Sequence, residues 1–269
     1  MTEFAGWSAA EARDWVAVPL PRDDKYSRGV LGVLTGSHRF PGAAVIGVDA
    51  ALHTGVGMVR YLGRERATDL VLARRPEVVI TEGRVQAWLI GSGMDAEAVE
   101  TASEDLVDAL ESGVPLVIDA GAIDLVRRVS SPAIITPHAG ELARQLGAER
   151  AVVEGDGARA ASVASRRFGV TVLLKGNTTH VAAPNGVHLA VKSGSTWLAT
   201  AGTGDALAGI VGALVATHAD EVASNPSALA RLGATAAVVH SMAAERFAGP
   251  FTVLDLNRAV ADVIAELIA

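Results

Sequence analysis

Residues 202–205, which read Gly-Thr-Gly-Asp, combine groups that can hold a phosphate with a carboxylate that can accept a proton. Leu207, Ile210 and Leu214 follow at helical spacing, so the segment is predicted to begin a helix. Amides at a helix N-terminus lack partners and carry partial positive charge, and glycines let a phosphate approach them closely. The pattern is typical of phosphoryl transfer onto a hydroxyl with Asp205 as the base. An ordinary aspartate cap after a glycine-rich turn is the alternative.

Five further segments place polar residues or glycines directly after predicted strands. They begin at Gly36, Gly91, Asp119, Thr136 and Lys175. Ligands of open α/β sheets bind at the carboxyl ends of the strands, so these segments are predicted to meet residues 202–205 at one edge of the sheet. Each glycine alone is explained as well by a plain strand-to-helix turn. The coincidence of five such segments favours a binding site.

Two side chains in these segments could contact a ligand directly. Lys175, one of only three lysines, follows the apolar run 172–174 and is predicted either to approach a nucleotide phosphate or to be a surface lysine at a strand end. His138 lies at a predicted helix start with Glu141 three residues later, a spacing that also suits helix capping. The remaining histidines show no metal-ligand spacing, and the chain contains no Walker A motif.

Apolar strands alternate with helical patterns along the chain, which predicts a mostly parallel sheet covered by helices on both faces. Predicted strands span residues 30–34, 58–62, 78–81, 88–90, 116–118, 134–135 and 170–174, followed by a hairpin of 179–183 and 187–191. Predicted helices span residues 43–52, 65–74, 97–110, 158–168, 206–217, 226–246 and 254–268, with another after His138. No internal repeat or long linker interrupts the pattern, so residues 1–269 are predicted to form a single domain.

Composition narrows the function classes. Of the 269 residues, 50% are hydrophobic and 20% charged, which is enough apolar material for a large core. The net charge of −7 and the lack of a basic patch argue against nucleic acid as a partner. Cysteine is absent, which excludes disulfides and thiol catalysis. The N-terminus does not read as a signal peptide, and the longest apolar run, residues 206–216, is too short to cross a membrane, so we expect a soluble cytoplasmic protein.

Six motifs in a fixed order resemble the ADP/ATP-dependent NAD(P)H-hydrate dehydratase family, whose members have a ribokinase-like fold. They are residues 41–44, 50–57, 90–94, 136–141, 174–179 and 202–205. The motif Thr-Pro-His-x-Gly-Glu at 136–141, with Gly-Thr-Gly-Asp downstream, marks this family, whereas Gly-Thr-Gly-Asp alone marks the wider superfamily. The resemblance implies an α/β fold of three layers. It also implies a stand-alone domain, because about 28 residues before the first predicted strand leave no room for the epimerase domain that many bacterial members carry.

The resemblance further implies an activity and a set of site residues. Family members dehydrate the S form of hydrated NADH and NADPH back to NADH and NADPH, and they consume ADP or ATP in doing so. By resemblance, the hydrate would contact Ala43, Gly93, His138 and Asp205, with Asp205 as the catalytic base. The adenine nucleotide would contact Lys175, Gly176, Asn177, Thr178, Thr179 and Gly204. A divalent ion, expected to be Mg²⁺, would neutralise the phosphates.

Two alternative functions remain open at this point. A small-molecule kinase of the same fold would phosphorylate a vitamin precursor or a sugar, although the motif at 136–141 argues against it. A nucleotide sensor would keep the pocket without catalysis, although it has no need of Asp205 as a base. The chain departs from the family in having Ser92 where proline is frequent, and Asn177 and Thr178 where a second glycine is frequent. A homo-oligomer is common in such families.

Overall fold

The computed structural model describes residues 3–95, 99 and 104–269, and nine strands within them form one sheet. In chain order the strands are β1 (Ala5–Gly6), β2 (Val30–Leu34), β3 (Met58–Tyr61), β4 (Ala87–Ile90), β5 (Leu116–Ile118), β6 (Ala133–Ile135), β7 (Thr171–Leu174), β8 (Thr178–Ala182) and β9 (His188–Lys192). Their order across the sheet is β1-β9-β8-β7-β6-β5-β4-β2-β3. Strands β2 to β7 are parallel, whereas β8 runs antiparallel to both of its neighbours. The prediction of a mostly parallel sheet is confirmed.

Two details of the sheet differ from the prediction. Residues 78–81 do not form a strand, since only Val79 makes an isolated bridge, to Arg60 of β3. The first strand is β1 and not residues 30–34, because Ala5 and Gly6 pair in parallel with β9 at the sheet edge. Both features depend on pairing with distant parts of the chain, which short apolar runs do not encode.

Helices connect most of the parallel strands. The α-helices of the described residues are α1 (Ala9–Arg13), α2 (Pro41–Thr54), α3 (Glu65–Arg74), α4 (Glu104–Glu111), α5 (Ala139–Leu146), α6 (Arg150–Gly155), α7 (Gly157–Phe168), α8 (Thr203–Thr217), α9 (Ala219–Ser224), α10 (Ala228–Glu245) and α11 (Val253–Ile268). Two 3-10 helices span Ala120–Arg128, between β5 and β6, and Thr196–Leu198. Of the predicted helix 97–110, residues 97, 98 and 100–103 lie outside the described residues. No helix within the described ranges is both long and apolar enough to cross a bilayer.

The sheet lies between two layers of helices. Alternate side chains of a strand point to opposite faces of a sheet. Leu89 and Val117 belong to a core cluster shared with α2, α8, α10 and α11. Their neighbours Ile90 and Ile118 belong to a second cluster shared with α4, α5 and α7. Both faces are therefore covered, which is the three-layer α/β arrangement predicted from the sequence.

A close contact between α2 and α8 fixes the position of the first turn of α8. A Cβ atom at Gly209 of α8 would overlap the backbone carbonyl of Gly47 in α2. A Cβ atom at Gly47 would in turn lie 3.4 Å from the carbonyl oxygen of Asp205. Because both helices have glycine at this crossing, their backbones approach closely and leave the start of α8 little freedom to shift.

Candidate active site

The carboxyl ends of β4, β5, β6 and β7 meet around the buried carboxylate of Asp119, which is only 1% exposed. Ser92 Oγ donates a hydrogen bond to Asp119 Oδ2 at 2.9 Å. Thr136 Oγ1 donates to Asp119 Oδ1 at 2.6 Å, and Lys175 Nζ donates to the same oxygen at 2.9 Å. Four of the five predicted strand ends therefore meet at Asp119, and the fifth, at Gly36, adjoins them through the hydrogen bond that its amide donates to the Ser92 carbonyl at 2.7 Å.

Lys175 holds a positive charge at this edge of the sheet. Burial would lower the pKa of Lys175, but the Asp119 and Glu141 carboxylates outweigh burial and raise it. A Cβ atom built on Gly204 would lie 3.4 Å from Lys175 Nζ. The side chain is 20% exposed, so this residue is not an ordinary surface lysine. Its ammonium group stays protonated beside the first turn of α8.

Asp205 lies in that first turn, as its motif predicts. Gly202 precedes the turn with a φ of 92°, in the left-handed region that favours glycine. Burial, and after it the charge of Asp119, raises the pKa of Asp205 to about 6, although Lys175 opposes the shift. A carboxylate with this pKa is ionised at neutral pH and is a stronger base than an ordinary aspartate. A base and the amides of a helix N-terminus therefore share one turn.

His138 and Glu141 form a reciprocal cap at the start of α5. Nδ1 of His138 accepts hydrogen bonds from the backbone amides of Gly140 and Glu141, at 3.0 and 3.2 Å. Oε2 of Glu141 accepts from the backbone amide of His138 at 2.8 Å, so the capping interpretation of Glu141 is confirmed. With Nδ1 as an acceptor, a neutral His138 ring carries its proton on Nε2. The side chain is 58% exposed, which leaves it accessible to a ligand.

Ala43 and Gly93, the other residues predicted for the hydrate, lie in contact. A Cβ atom on Gly93 would overlap the Cβ atom of Ala43 and lie 2.8 Å from the carbonyl oxygen of Phe40. Gly93 also has a φ of 66°, so both space and conformation favour glycine. Ala43 lies one helical turn before Gly47, which packs against the backbone of Asp205. The structure brings these residues to the same end of the sheet, and their role in binding the hydrate stays a prediction.

A cavity of about 460 Å³ opens beside the first turn of α8. Five of the six residues predicted for the nucleotide line it: Lys175, Gly176, Asn177, Thr179 and Gly204. Val191 and Leu198 give it apolar walls. Thr178 instead lines an adjoining cavity of about 640 Å³ together with His138, because neighbouring residues of a strand point in opposite directions. An apolar pocket with a cation and amides at one end suits an aromatic base that carries phosphates.

Sequence reasoning placed Asp119, Ser92 and Thr136 in segments at this edge of the sheet, but it did not predict the hydrogen bonds that join them, and it missed His240. Asp119 is predicted only to follow a strand, and no local pattern marks Ser92 or Thr136 as its partners, since they are 27 and 17 residues away. His240 lines the 460 Å³ cavity as well. The apolar helical pattern around His240 predicts a buried helix and carries no sign of a ligand site.

Comparison with known proteins points to one family. Residues 31–265 match the family model described as NAD(P)H-hydrate dehydratase. The chain is 42% identical over 228 residues to the bifunctional NAD(P)H-hydrate repair enzyme Nnr of Mycobacterium tuberculosis. The matched segment covers 80% of this chain and 47% of that enzyme. The chain is also 34% identical over 207 residues to the ADP-dependent (S)-NAD(P)H-hydrate dehydratase of Neisseria meningitidis serogroup B. This matched segment covers 70% of this chain and 69% of that enzyme. The chain thus spans about half the length of the bifunctional relative.

Solved structures share the fold over nearly the whole chain. One is an ADP/ATP-dependent NAD(P)H-hydrate dehydratase from Bacillus subtilis, co-crystallised with ATP and Mg²⁺, with a TM-score of 0.86 and 25% identity over 99% of this chain and 100% of that chain. Another is a ribokinase-like superfamily protein from Enterococcus faecalis, with a TM-score of 0.81 and 20% identity over 98% of this chain and 96% of that chain. The ribokinase-like fold predicted from the motifs is confirmed.

Proposed function

Since the chain belongs to the NAD(P)H-hydrate dehydratase family, we propose that it dehydrates the S form of hydrated NADH and NADPH at the expense of ADP or ATP. The observation that carries the proposal is the position of Asp205. This carboxylate, with a pKa of about 6, lies in the first turn of α8 close to Lys175 and next to the cavity-lining Gly204. Transfer of a phosphoryl group from a nucleotide to a hydroxyl requires a base, a cation and oriented amides in one place.

The proposed reaction begins when the ring hydroxyl of the hydrate attacks the terminal phosphorus of the nucleotide and Asp205 accepts the hydroxyl proton. The phosphoryl group moves to the ring oxygen, and ADP leaves from ATP, or AMP from ADP. The ring C–O bond then breaks, and phosphate departs with the electron pair while the ring nitrogen supplies electrons to the ring. Loss of a proton from the neighbouring ring carbon completes NADH or NADPH. The nucleotide thus replaces hydroxide, a poor leaving group, with phosphate.

Lys175 and the first turn of α8 are proposed to hold the phosphoryl group during this transfer. Amides in the first turn of a helix lack intrahelical acceptors, so they can donate to phosphate oxygens. Asp119 fixes Lys175 through the 2.9 Å ion pair and is itself fixed by the hydroxyls of Ser92 and Thr136. Asp119 is therefore a positioning residue, and its charge also contributes to the raised pKa of Asp205.

The two substrates are proposed to meet at Asp205 from different sides. The adenine nucleotide would occupy the 460 Å³ cavity, with its base against apolar walls and its phosphates toward Lys175 and Gly204. Gly176, Asn177 and Thr179 complete the proposed nucleotide site, whereas Thr178, which the resemblance also assigns to the nucleotide, lines the adjoining cavity beside His138. The hydrate would approach from the side of Ala43, Gly93 and His138. The backbone contact between Asp205 and the helix that carries Ala43 supports this division.

Mg²⁺ is proposed to enter with the nucleotide. The described part of the chain holds no group of three or more His, Cys, Asp or Glu side chains arranged for a metal ion. The Asp119 carboxylate is already engaged by Ser92, Thr136 and Lys175. A resident metal centre therefore does not fit these residues. Mg²⁺ commonly binds through substrate phosphates and keeps several waters, and its role would be to neutralise phosphate charge.

An absorbance assay tests the proposed function. The protein is mixed with the S hydrate of NADH, Mg²⁺ and either ADP or ATP. We expect the absorbance of reduced nicotinamide to return with release of one phosphate per NADH. If the protein instead leaves the hydrate unchanged and converts a vitamin precursor or a sugar into a stable phosphorylated product, it is a small-molecule kinase and the proposal is wrong. Repeating the assay with hydrated NADPH ranks the two hydrates.

The cellular setting and assembly belong to the same proposal. We propose a cytoplasmic protein in which residues 1–269 act as one domain on two small-molecule substrates. Support comes from the pairing of β1 with β9 in a single sheet and from the shared core of α2 and α11. A homo-oligomer would be recognised by light scattering of the purified protein at several concentrations.

A further inference from the structure

One wall of the 460 Å³ cavity contains a buried histidine, His240. Ala237, His240 and Ser241 lie on one face of α10 and line the cavity together with Lys175 and Gly204. His240 is 7% exposed, and its Nε2 atom is buried without a hydrogen-bond partner among the described residues. A buried polar nitrogen without a partner is uncommon and costs free energy.

The neighbouring residue on this wall, Ser241, has hydrogen-bond partners for its buried hydroxyl, unlike His240 Nε2. Ser241 Oγ donates to Glu245 Oε1 at 3.0 Å and accepts from the backbone amide of Gly194 at 2.8 Å. An apolar ring would fill the place of His240 without leaving a nitrogen unpaired. The presence of histidine there is explained if a molecule in the cavity supplies the missing partner.

The ring of His240 is neutral at physiological pH. Burial lowers the pKa of His240 to about 4; a hydrogen bond with the backbone of Thr203 opposes this shift, and the Lys175 ammonium reinforces it. A neutral imidazole offers one N–H donor and one acceptor. Such a group matches the oxygens of a ribose or a phosphate, which suits the end of the cavity where Lys175 and Gly204 lie.

We propose that His240 binds the adenine nucleotide, and that its buried ring nitrogen forms a hydrogen bond with the ribose or phosphate part of that nucleotide. This inference rests on the proposed function, because it takes the cavity as the nucleotide site. It adds a residue of α10 to the groups that recognise ADP or ATP, far along the chain from the motifs at residues 174–179 and 202–205.

Two substitutions of His240 separate a ligand contact from a packing role. His240→Phe keeps a ring of similar size and removes both nitrogens, whereas His240→Gln places amide atoms near the position of Nε2. We expect the Kd for ADP, measured by calorimetry, to rise about tenfold in the Phe variant, the range for one lost hydrogen bond. We expect the Gln variant to recover part of that loss. In the ligand-free Phe variant, removal of the unpaired Nε2 and loss of the hydrogen bond with the Thr203 backbone have opposite effects, so we expect its Tm to change little.

His218→Phe is the matched control. His218 is also a histidine of lowered pKa, but it lies at the other end of α8, where its Nδ1 is 2.9 Å from the Leu214 carbonyl oxygen. This variant should lose Tm and keep its Kd for ADP. Binding of adenosine by the His240→Phe variant then locates the contact: an equal loss for adenosine and ADP supports the ribose, and a loss for ADP alone supports a phosphate.

Two results would overturn the inference: an unchanged Kd for ADP in His240→Phe, or equal losses in the Phe and Gln variants, which would indicate packing alone. Failure of the proposed function is separate and visible in the wild type. If the wild-type protein binds neither ADP nor ATP, the nucleotide site itself is wrong. If it binds them and the Phe variant binds equally well, only the role of His240 is refuted.

Discussion

Lowering the pH from 7 to 5 is predicted to remove the catalytic base by protonating Asp205. With a pKa of about 6, Asp205 is about 90% ionised at pH 7 and about 10% ionised at pH 5. The activity that depends on Asp205 should therefore fall about tenfold. An aspartate at the ordinary value of 3.8 would stay about 90% ionised at pH 5 and show almost no decline.

The assay for this prediction is kcat/KM for the S hydrate of NADH across this pH range, in the wild type and in Asp205→Asn. At pH 7 the variant should turn over about 10²- to 10⁴-fold more slowly, as expected for loss of a general base. The terminal phosphate of the nucleotide also titrates near pH 6, and the variant reports that contribution by itself. The ratio of wild-type to variant activity should fall about tenfold from pH 7 to pH 5. A constant ratio would refute the role of Asp205 as a base of raised pKa.

The stability of Asp205→Asn provides an independent check, because the substitution that lowers activity should raise stability. A pKa raised from 3.8 to about 6 means that the folded protein disfavours the ionised form of Asp205 at pH 7. Each pKa unit corresponds to 1.36 kcal/mol, so we expect Asp205→Asn to be more stable at pH 7 by about 1–3 kcal/mol. The advantage should shrink as the pH falls from 6 to 4, where the wild-type carboxylate becomes protonated. A variant that is less active and less stable at pH 7 would instead indicate misfolding.

Three further predictions concern nucleotide binding, the cap of α5 and the helix crossing. Lys175→Ala should raise the Kd for ADP or ATP, measured by calorimetry, about 10- to 100-fold and should weaken hydrate binding less. Substitution of the exposed Lys25 by alanine should leave both affinities unchanged. An unaltered nucleotide Kd in Lys175→Ala would remove Lys175 from the site. Glu141→Gln should keep both the Tm and the Mg²⁺ dependence of activity, because glutamine can also form the cap. Glu141→Ala should lose about 1 kcal/mol of stability in urea unfolding, because it cannot. Loss of Mg²⁺ dependence in the Gln variant would argue for a metal role of Glu141 instead. Gly209→Ala should destabilise the folded protein by about 1–3 kcal/mol and reduce turnover, because its Cβ atom would overlap the carbonyl of Gly47 in α2. Gly155→Ala should change neither stability nor turnover, because the space around Gly155 is open.

The features that the sequence predicted are encoded in short contiguous segments. The glycines of residues 202–205 precede an apolar run of helical period, and α8 begins at Thr203. The three-residue spacing of His138 and Glu141 is the pattern of a reciprocal cap, and the cap forms. Strand ends that carry polar residues converge because parallel strands place their carboxyl ends at one edge.

The features that the sequence did not predict depend on contacts between distant segments. Asp119 receives hydrogen bonds from residues that are 27, 17 and 56 positions away, so no local pattern marks it as the centre of the site. The raised pKa of Asp205 arises from burial and from the charge of Asp119, which only the fold brings close. His240 enters the cavity from α10 for the same reason. Strand β1 has only two residues and exists because β9 lies beside it.

The central claim is that the ring hydroxyl of the hydrate is phosphorylated before it leaves, and isotope labelling tests that claim most directly. The S hydrate of NADH is prepared with oxygen-18 in its ring hydroxyl and is incubated with the protein, Mg²⁺ and ADP or ATP for a single turnover. Mass spectrometry of the released phosphate should find one labelled oxygen for each NADH formed. Unlabelled phosphate, with the oxygen-18 recovered in water, would contradict the account, because dehydration and nucleotide hydrolysis would then be separate reactions.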